Sequence, residues 1–325
     1  MSTGTGSRVV LEPAAQAFLE RLAAAGGQPI STLTPADARA LLDQIQSGGM
    51  AMAPAEVEPH TIPGGPSGEI SITVVRPIDG NGSLPAVMYF HGGGWVLGNF
   101  GTHERLVREL ASGTGAAIVF VNYTPSPEAH YPKPLEEAYA ATRWVGTRGA
   151  ELGLDGKRLA VAGDGAGGNM AATVTLLAKA RGGPTIRYQV LFYPVTDAAL
   201  ATDSYTRFGD GFWLTRRTME WFWSQYAPDL AERSEPTASP LRASLAQLQG
   251  LPPALVITAE ADVLCDEGVA YGRKLRQAGV DVTALSYAGI VHDFVVIDAL
   301  AETNAARDAV AQATRVLKRA LYVSG

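Results

Sequence analysis

The chain reads as an α/β protein: a mostly parallel central sheet flanked by helices, with a helical cap. Three observations predict this. Short β-rich runs alternate with helical stretches from about residue 69 onward, the texture of strand–helix–strand units. Several of those runs are near-continuous apolar segments, as strands buried on both faces are. One aromatic stretch, 197–245, breaks the alternation by inserting a long segment between two strands.

Taken in order, the first fifty residues are predicted helical. Phe18, Leu19 and Leu22 give a first helix its apolar side. Thr34 as N-cap, Pro35 at the first helical position and Asp37 three after the cap announce a second, which carries Leu41, Leu42 and Ile45. Residues 53–68 are rich in Pro and Gly and read as a linker. Strands are predicted at 70–76, 86–90, 117–122, 159–162, 188–192, 254–258 and 282–286. Helices are predicted near 103–112, 133–148, 168–181, 266–278 and 303–321. In the last, Ala306, Val310, Ala313, Leu317 and Ala320 recur at helical spacing. The segment 197–245 holds Tyr205, Phe208, Phe212, Trp213, Trp221, Phe222, Trp223 and Tyr226. It reads as a lid packed with the N-terminal helices over the carboxyl edge of the sheet. The domain reading is therefore an N-terminal cap segment (1–50), an α/β domain (51–196 and 246–325) and a cap insertion (197–245).

Composition narrows the class. The chain has 325 residues, 46% hydrophobic and 18% charged, enough for a sizeable core and too apolar for extended disorder. The net charge is −6, without a basic block, which argues against nucleic acid as a partner. Cys265 is the single cysteine; it excludes an internal disulfide, fits a reducing compartment and reads as a buried, inert thiol. No signal-peptide pattern and no apolar run of membrane-spanning length is visible, so the expectation is a soluble cytoplasmic protein. Glycine is in excess, 36 in all, about 11% against an average near 7%.

Part of that excess falls in two loops. His91-Gly92-Gly93-Gly94-Trp95 follows the apolar strand at 86–90. Successive glycines let the backbone come close to a ligand and aim free N–H groups at a developing negative oxygen. Gly163-Asp164-Gly165-Ala166-Gly167-Gly168-Asn169 follows the strand at 159–162. Gly163, Gly165 and Gly168 formally satisfy a dinucleotide fingerprint, but the acidic residue that should follow roughly 20 positions on is missing. The competing motif is the nucleophile elbow G-x-S-x-G, matched by Gly163 and Gly167, with Gly165 at the serine position. Downstream, Asp262 follows the strand at 254–258, and His292 follows the strand at 282–286. Elbow, then acid, then histidine is the chain order of an α/β-hydrolase triad. His60 is expected exposed, His103 and His130 lie in loop or helix-start contexts, and Glu128 reads as bracing its loop. No metal or cofactor is expected.

On these motifs the chain resembles the hormone-sensitive-lipase-like branch of the α/β-hydrolases (family IV), ester hydrolases with a His-Gly-Gly-Gly motif. That family's elbow reads Gly-Asp-Ser-Ala-Gly-Gly-Asn. Tyr123-Thr-Pro-Ser-Pro-Glu128 with Tyr131-Pro132, and the segment 251–260 before the acid, are similar to further family motifs. The resemblance spans about residues 70–320. It implies an ester hydrolase fold with a small-molecule ester as partner, and relatives that often form homodimers. It implies Asp262 and His292 as triad members. It also implies an oxyanion hole from the N–H groups of Gly93, Gly94 and Ala166, and a pocket lined by Trp95, Phe212 and Trp213. Val263 after the acid is a minor departure from the family pattern. Gly165 is a major one, since glycine has no oxygen with which to form an acyl-enzyme. We read it as an engineered replacement of the nucleophile, because acid, histidine and oxyanion loop are all retained. The alternative is a catalytically silent, receptor-like binding protein.

Overall fold

The apolar runs pair into one eight-stranded sheet in the computed structural model of the chain, which describes residues 9–322. The strands are β1 (Ala55–Pro63), β2 (Glu69–Pro77), β3 (Leu84–Phe90), β4 (Ala117–Asn122), β5 (Leu154–Asp164), β6 (Gln189–Phe192), β7 (Ala254–Ala261) and β8 (Val282–Val291). Their order across the sheet is β1-β2-β4-β3-β5-β6-β7-β8. From β4 to β8 every pairing is parallel, whereas β1–β2 and β2–β4 are antiparallel. Every residue of β3 and β6 is buried, which is why these strands read as continuous apolar runs rather than alternating ones.

The helices are α1 (Pro13–Ala25), α2 (Pro35–Ile45), α3 (Phe100–Thr114), α4 (Lys133–Arg148), α5 (Ala166–Arg181), α6 (Asp203–Arg207), α7 (Arg216–Tyr226), α8 (Leu245–Leu248), α9 (Cys265–Gln277) and α10 (Asn304–Tyr322). Helices α3 and α10 pack on each other, as do α4 and α5. Among the described residues no helix is long and apolar enough to cross a membrane.

The stretch at 53–68 is no linker. It contains β1, paired with β2 along all nine of its residues. Pro59 and Pro63 are tolerated because β1 is an edge strand, where a missing N–H leaves no neighbour unpaired. His60 sits on this strand, half-buried rather than exposed. In α10 the inward residues are Ala305, Ala306, Ala309, Ala313, Leu317 and Leu321, while Val310 and Ala320 are only partly covered. The predicted cap of α2 forms: the Thr34 hydroxyl accepts from Asp37 N–H at 3.2 Å.

The segment between β6 and β7 carries α6 and α7. Thr215 caps α7, which buries Met219, Phe222, Trp223 and Tyr226. Tyr226 stacks on Trp95 of the loop after β3, with ring centroids 4.1 Å apart. Phe18 of α1 meets Trp213 at 5.5 Å. N-terminal helices and insertion thus touch each other above the ends of the parallel strands.

Candidate active site

Parallel strands present all their carboxyl ends on one edge, so residues distant in sequence converge there. Gly165 stands between the last residue of β5 and the first of α5. Its backbone, at φ +50° and ψ −114°, turns the chain sharply from strand to helix. The turn is pinned from both sides: Gly165 N–H donates to Phe192 C=O at 3.0 Å, and its carbonyl accepts from Asn169 and Val195. The turn also needs Gly167, where any Cβ would collide with the Phe90 carbonyl.

Asp262 directly follows β7 and His292 directly follows β8. His292 Nδ1 lies 2.7 Å from Asp262 Oδ2, and Leu264 N–H donates to the other carboxylate oxygen at 2.9 Å. Both side chains are buried. Burial opposes the imidazolium, but the Asp262 and Asp293 carboxylates outweigh it and raise His292 to about 9. A Cβ built on Gly165 would have only His292 Nε2 at 3.4 Å and Cε1 at 3.7 Å within 4 Å. Position 165, His292 and Asp262 are therefore in line.

The loop after β3 completes the site. Gly93, Gly94 and Ala166 border one pocket together with His292, and none of their N–H groups finds an acceptor among the described residues. The pocket is otherwise mostly apolar, walled by Ile30, Leu42, Trp213, Leu214, Phe222 and Leu264. Of the three aromatics expected to line it, Trp213 does. Trp95 is wholly buried in the stack on Tyr226, and Phe212 faces a separate groove beside α1. Phe222 takes the position nearest the oxyanion loop, its ring lying where a side chain at Gly94 would have to go.

Beneath the loop sits a buried polar cluster that sequence reasoning missed. Asp164 accepts from Tyr89 at 2.6 Å and faces His103 Nε2 at 3.4 Å. His91 is sandwiched between Tyr123 and Phe120 and bonds the Gly92 carbonyl through Nδ1 at 2.9 Å. Burial, with His103 second, pushes His91 down to about 3, so it is neutral. His103 lies in the first turn of α3, as its helix-start context suggested, and is buried there. His130 bonds the Gln225 carbonyl at 2.7 Å. Burial pushes the half-buried Cys265 thiol up to about 11. Among the described residues no cluster of three side chains stands at metal-ligating distance.

Helix α2 grips this region with Arg39 in its middle and Gln46 at its C-terminal cap, two turns apart. Arg39 forms a two-pronged pair with Glu128, both contacts at 2.7 Å, and also bonds the Val96 and Ser126 carbonyls. The Arg39 hydrogen bond holds Glu128 down to about 2. Gln46 donates to the Thr102 and Val296 carbonyls and accepts from Asp298 N–H. The order elbow, acid, histidine was legible in the sequence; Arg39 and Gln46 were not, because nothing local marks a partner this far along the chain.

Comparison with known proteins agrees with this architecture. The family described as alpha/beta hydrolase fold matches residues 87–296. Carboxylesterase NlhH of Mycobacterium tuberculosis is 39% identical over 297 residues, covering 90% of this chain and 92% of its own. An ethyl acetate hydrolase of Pseudomonas putida is 39% identical over 246 residues, covering 75% of this chain and 74% of its own. Among solved structures, a thermostable esterase from Pseudomonas putida superposes with a TM-score of 0.95 at 51% identity, covering 98% of this chain and 100% of that one. With fold, motif order and relatives in agreement, the chain belongs to the α/β-hydrolase family, in its hormone-sensitive-lipase-like branch.

Proposed function

We propose that this chain is the scaffold of a carboxylic ester hydrolase for short- to medium-chain acyl esters, with its nucleophile position occupied by Gly165. The observation that carries this reading is the empty reach between Gly165 and His292, where an added Cβ would meet imidazole atoms and nothing else within 4 Å. With serine there, Oγ attacks the ester carbonyl. His292 Nε2 takes the hydroxyl proton and returns it to the departing alcohol. Water then repeats the sequence on the acyl-enzyme and releases the acid. Asp262 fixes the tautomer through Nδ1 and stabilises the charged ring. The N–H groups of Gly93, Gly94 and Ala166 receive the negative oxygen, each worth about 3 kcal/mol in the transition state. Side chains from α2, the turn before it and the 197–245 insertion wall the pocket above them, and its mostly apolar lining suits a hydrocarbon acyl or alcohol group.

The chain as it stands has no hydroxyl at 165, so an ester that enters cannot acylate it. A water beside His292 is the remaining nucleophile. Sites lacking a triad member retain roughly 10³–10⁴-fold over the uncatalysed rate. A catalytically silent binding protein is the second reading, favoured by Gly165 itself.

The test is Gly165→Ser assayed on p-nitrophenyl esters from acetate to decanoate. Burst kinetics and turnover on the shorter chains are expected, with His292→Ala in that background removing most of it. A folded Gly165→Ser protein inactive on the whole series would overturn the hydrolase reading.

A further inference from the structure

His292 has a second carboxylate, on the nitrogen that should be free. Asp293 Oδ1 lies 3.2 Å from Nε2, while Asp262 already occupies Nδ1 at 2.7 Å. Asp293 is not a loose neighbour. Its other oxygen accepts from Trp213 Nε1 at 2.8 Å, and its carbonyl accepts from the N–H groups of Val296 and Ile297. Its backbone is held at φ +61°, a left-handed conformation that aspartate tolerates better than most residues but still at some cost. A strained, triply anchored residue therefore holds a carboxylate oxygen close to the base.

That geometry has a protonic consequence. Nδ1 must carry a hydrogen to meet Asp262, so a neutral ring offers only a lone pair at Nε2. A lone pair facing a carboxylate oxygen repels it. The contact is an ion pair by distance, without hydrogen-bond alignment, and it is favourable only when the ring carries its second proton and with it a positive charge. The remaining charged or titratable groups facing the ring are Asp164 at the end of β5 and Tyr193 after β6, whose ring lies 4.7 Å away; His103 on α3 faces Asp293. None of them supplies a competing positive charge at Nε2.

We propose that Asp293 is a positioning residue that keeps a proton on His292 Nε2 in the resting site, so that the base becomes free to accept a nucleophile's proton only once that proton is released. This rests on the reading of His292 as the general base. The cap takes part, because Trp213 is what orients the Asp293 carboxylate.

Two measurements test it. The first uses the chain as it is: NMR titration of ring-labelled histidines, with His292 assigned by substitution. The His292 midpoint is expected well above the ordinary imidazole value and to fall by at least one pH unit in Asp293→Asn. Asp293→Gly, which suits the left-handed backbone, should do the same if the first variant folds poorly. A midpoint unmoved by removal of the carboxylate overturns the proposal. The second uses Gly165→Ser and follows kcat/KM against pH. The acid limb should shift to lower pH by the same amount in Asp293→Asn, giving about tenfold more activity below the limb for each unit shifted. Activity with an unshifted limb sinks the role of Asp293 and spares the hydrolase reading. Inactivity at every pH sinks the hydrolase reading, while the titration still decides Asp293.

Discussion

At the scale of the residue, Gly165 is where chemistry and conformation pull apart. A φ of +50° with ψ −114° costs glycine little, but places any L side chain in a sparsely populated region, at about 1–3 kcal/mol. Gly165→Ser and Gly165→Ala are therefore both expected to lower the Tm by a few degrees, with only the serine variant gaining esterase turnover. Differential scanning calorimetry beside an ester assay checks both halves; a serine variant more stable than the parent would contradict the strain argument. Asp262 and His292 were legible because each follows an apolar strand in the order that a strand-by-strand layout demands. Asp293 was not, although it is the next residue. Its carboxylate meets Nε2 only through a left-handed turn, and is fixed only by Trp213, which lies 80 positions earlier. Trp95 misled for a related reason: adjacency to the glycine loop suggested a pocket wall, yet the ring turns into the stack with Trp223 and Tyr226.

At the scale of the element, α2 departs from the usual amphipathic logic. Its apolar side buries only Ala38 and Leu42, and its hold on the protein is largely polar. Arg39→Ala removes the pair with Glu128 and two carbonyl bonds. The expected loss is about 1–3 kcal/mol, discounted because Glu128 is half exposed. In the Gly165→Ser background kcat should fall with it, since Val96 belongs to the oxyanion loop. Glu128 is depressed to about 2 from an ordinary value near 4.5. The contribution of the pair is thus whole above about 4.5 and fades as pH falls toward 2. Acid unfolding of the Arg39→Ala variant should show a weaker dependence over that window; an identical dependence would mean the pair contributes nothing. The helix itself was legible from Thr34, Pro35 and Asp37, but its docking was not, just as β1 was hidden by prolines that only an edge strand admits.

At the scale of the whole molecule, the sheet was readable because parallel strands covered on both faces are apolar throughout, and the order of strands then brings all the reactive loops to one edge. What covers that edge was readable only as an aromatic surplus. The structure assigns Trp213, Leu214 and Phe222 to the pocket wall and leaves Phe212 outside. Trp213→Ala, in the serine background, should move the preference toward longer acyl chains by opening the wall, read as the ratio of kcat/KM for octanoate over acetate. An unchanged ratio would place the acyl group elsewhere. One feature of α2 reaches further than stability. The same helix holds the oxyanion loop through Arg39, holds the histidine loop through Gln46, and lends Leu42 to the pocket wall. A substitution that shifts α2 is therefore felt at once by the loop that would hold the oxyanion, by the loop that carries the histidine and by the wall against which the substrate would lie.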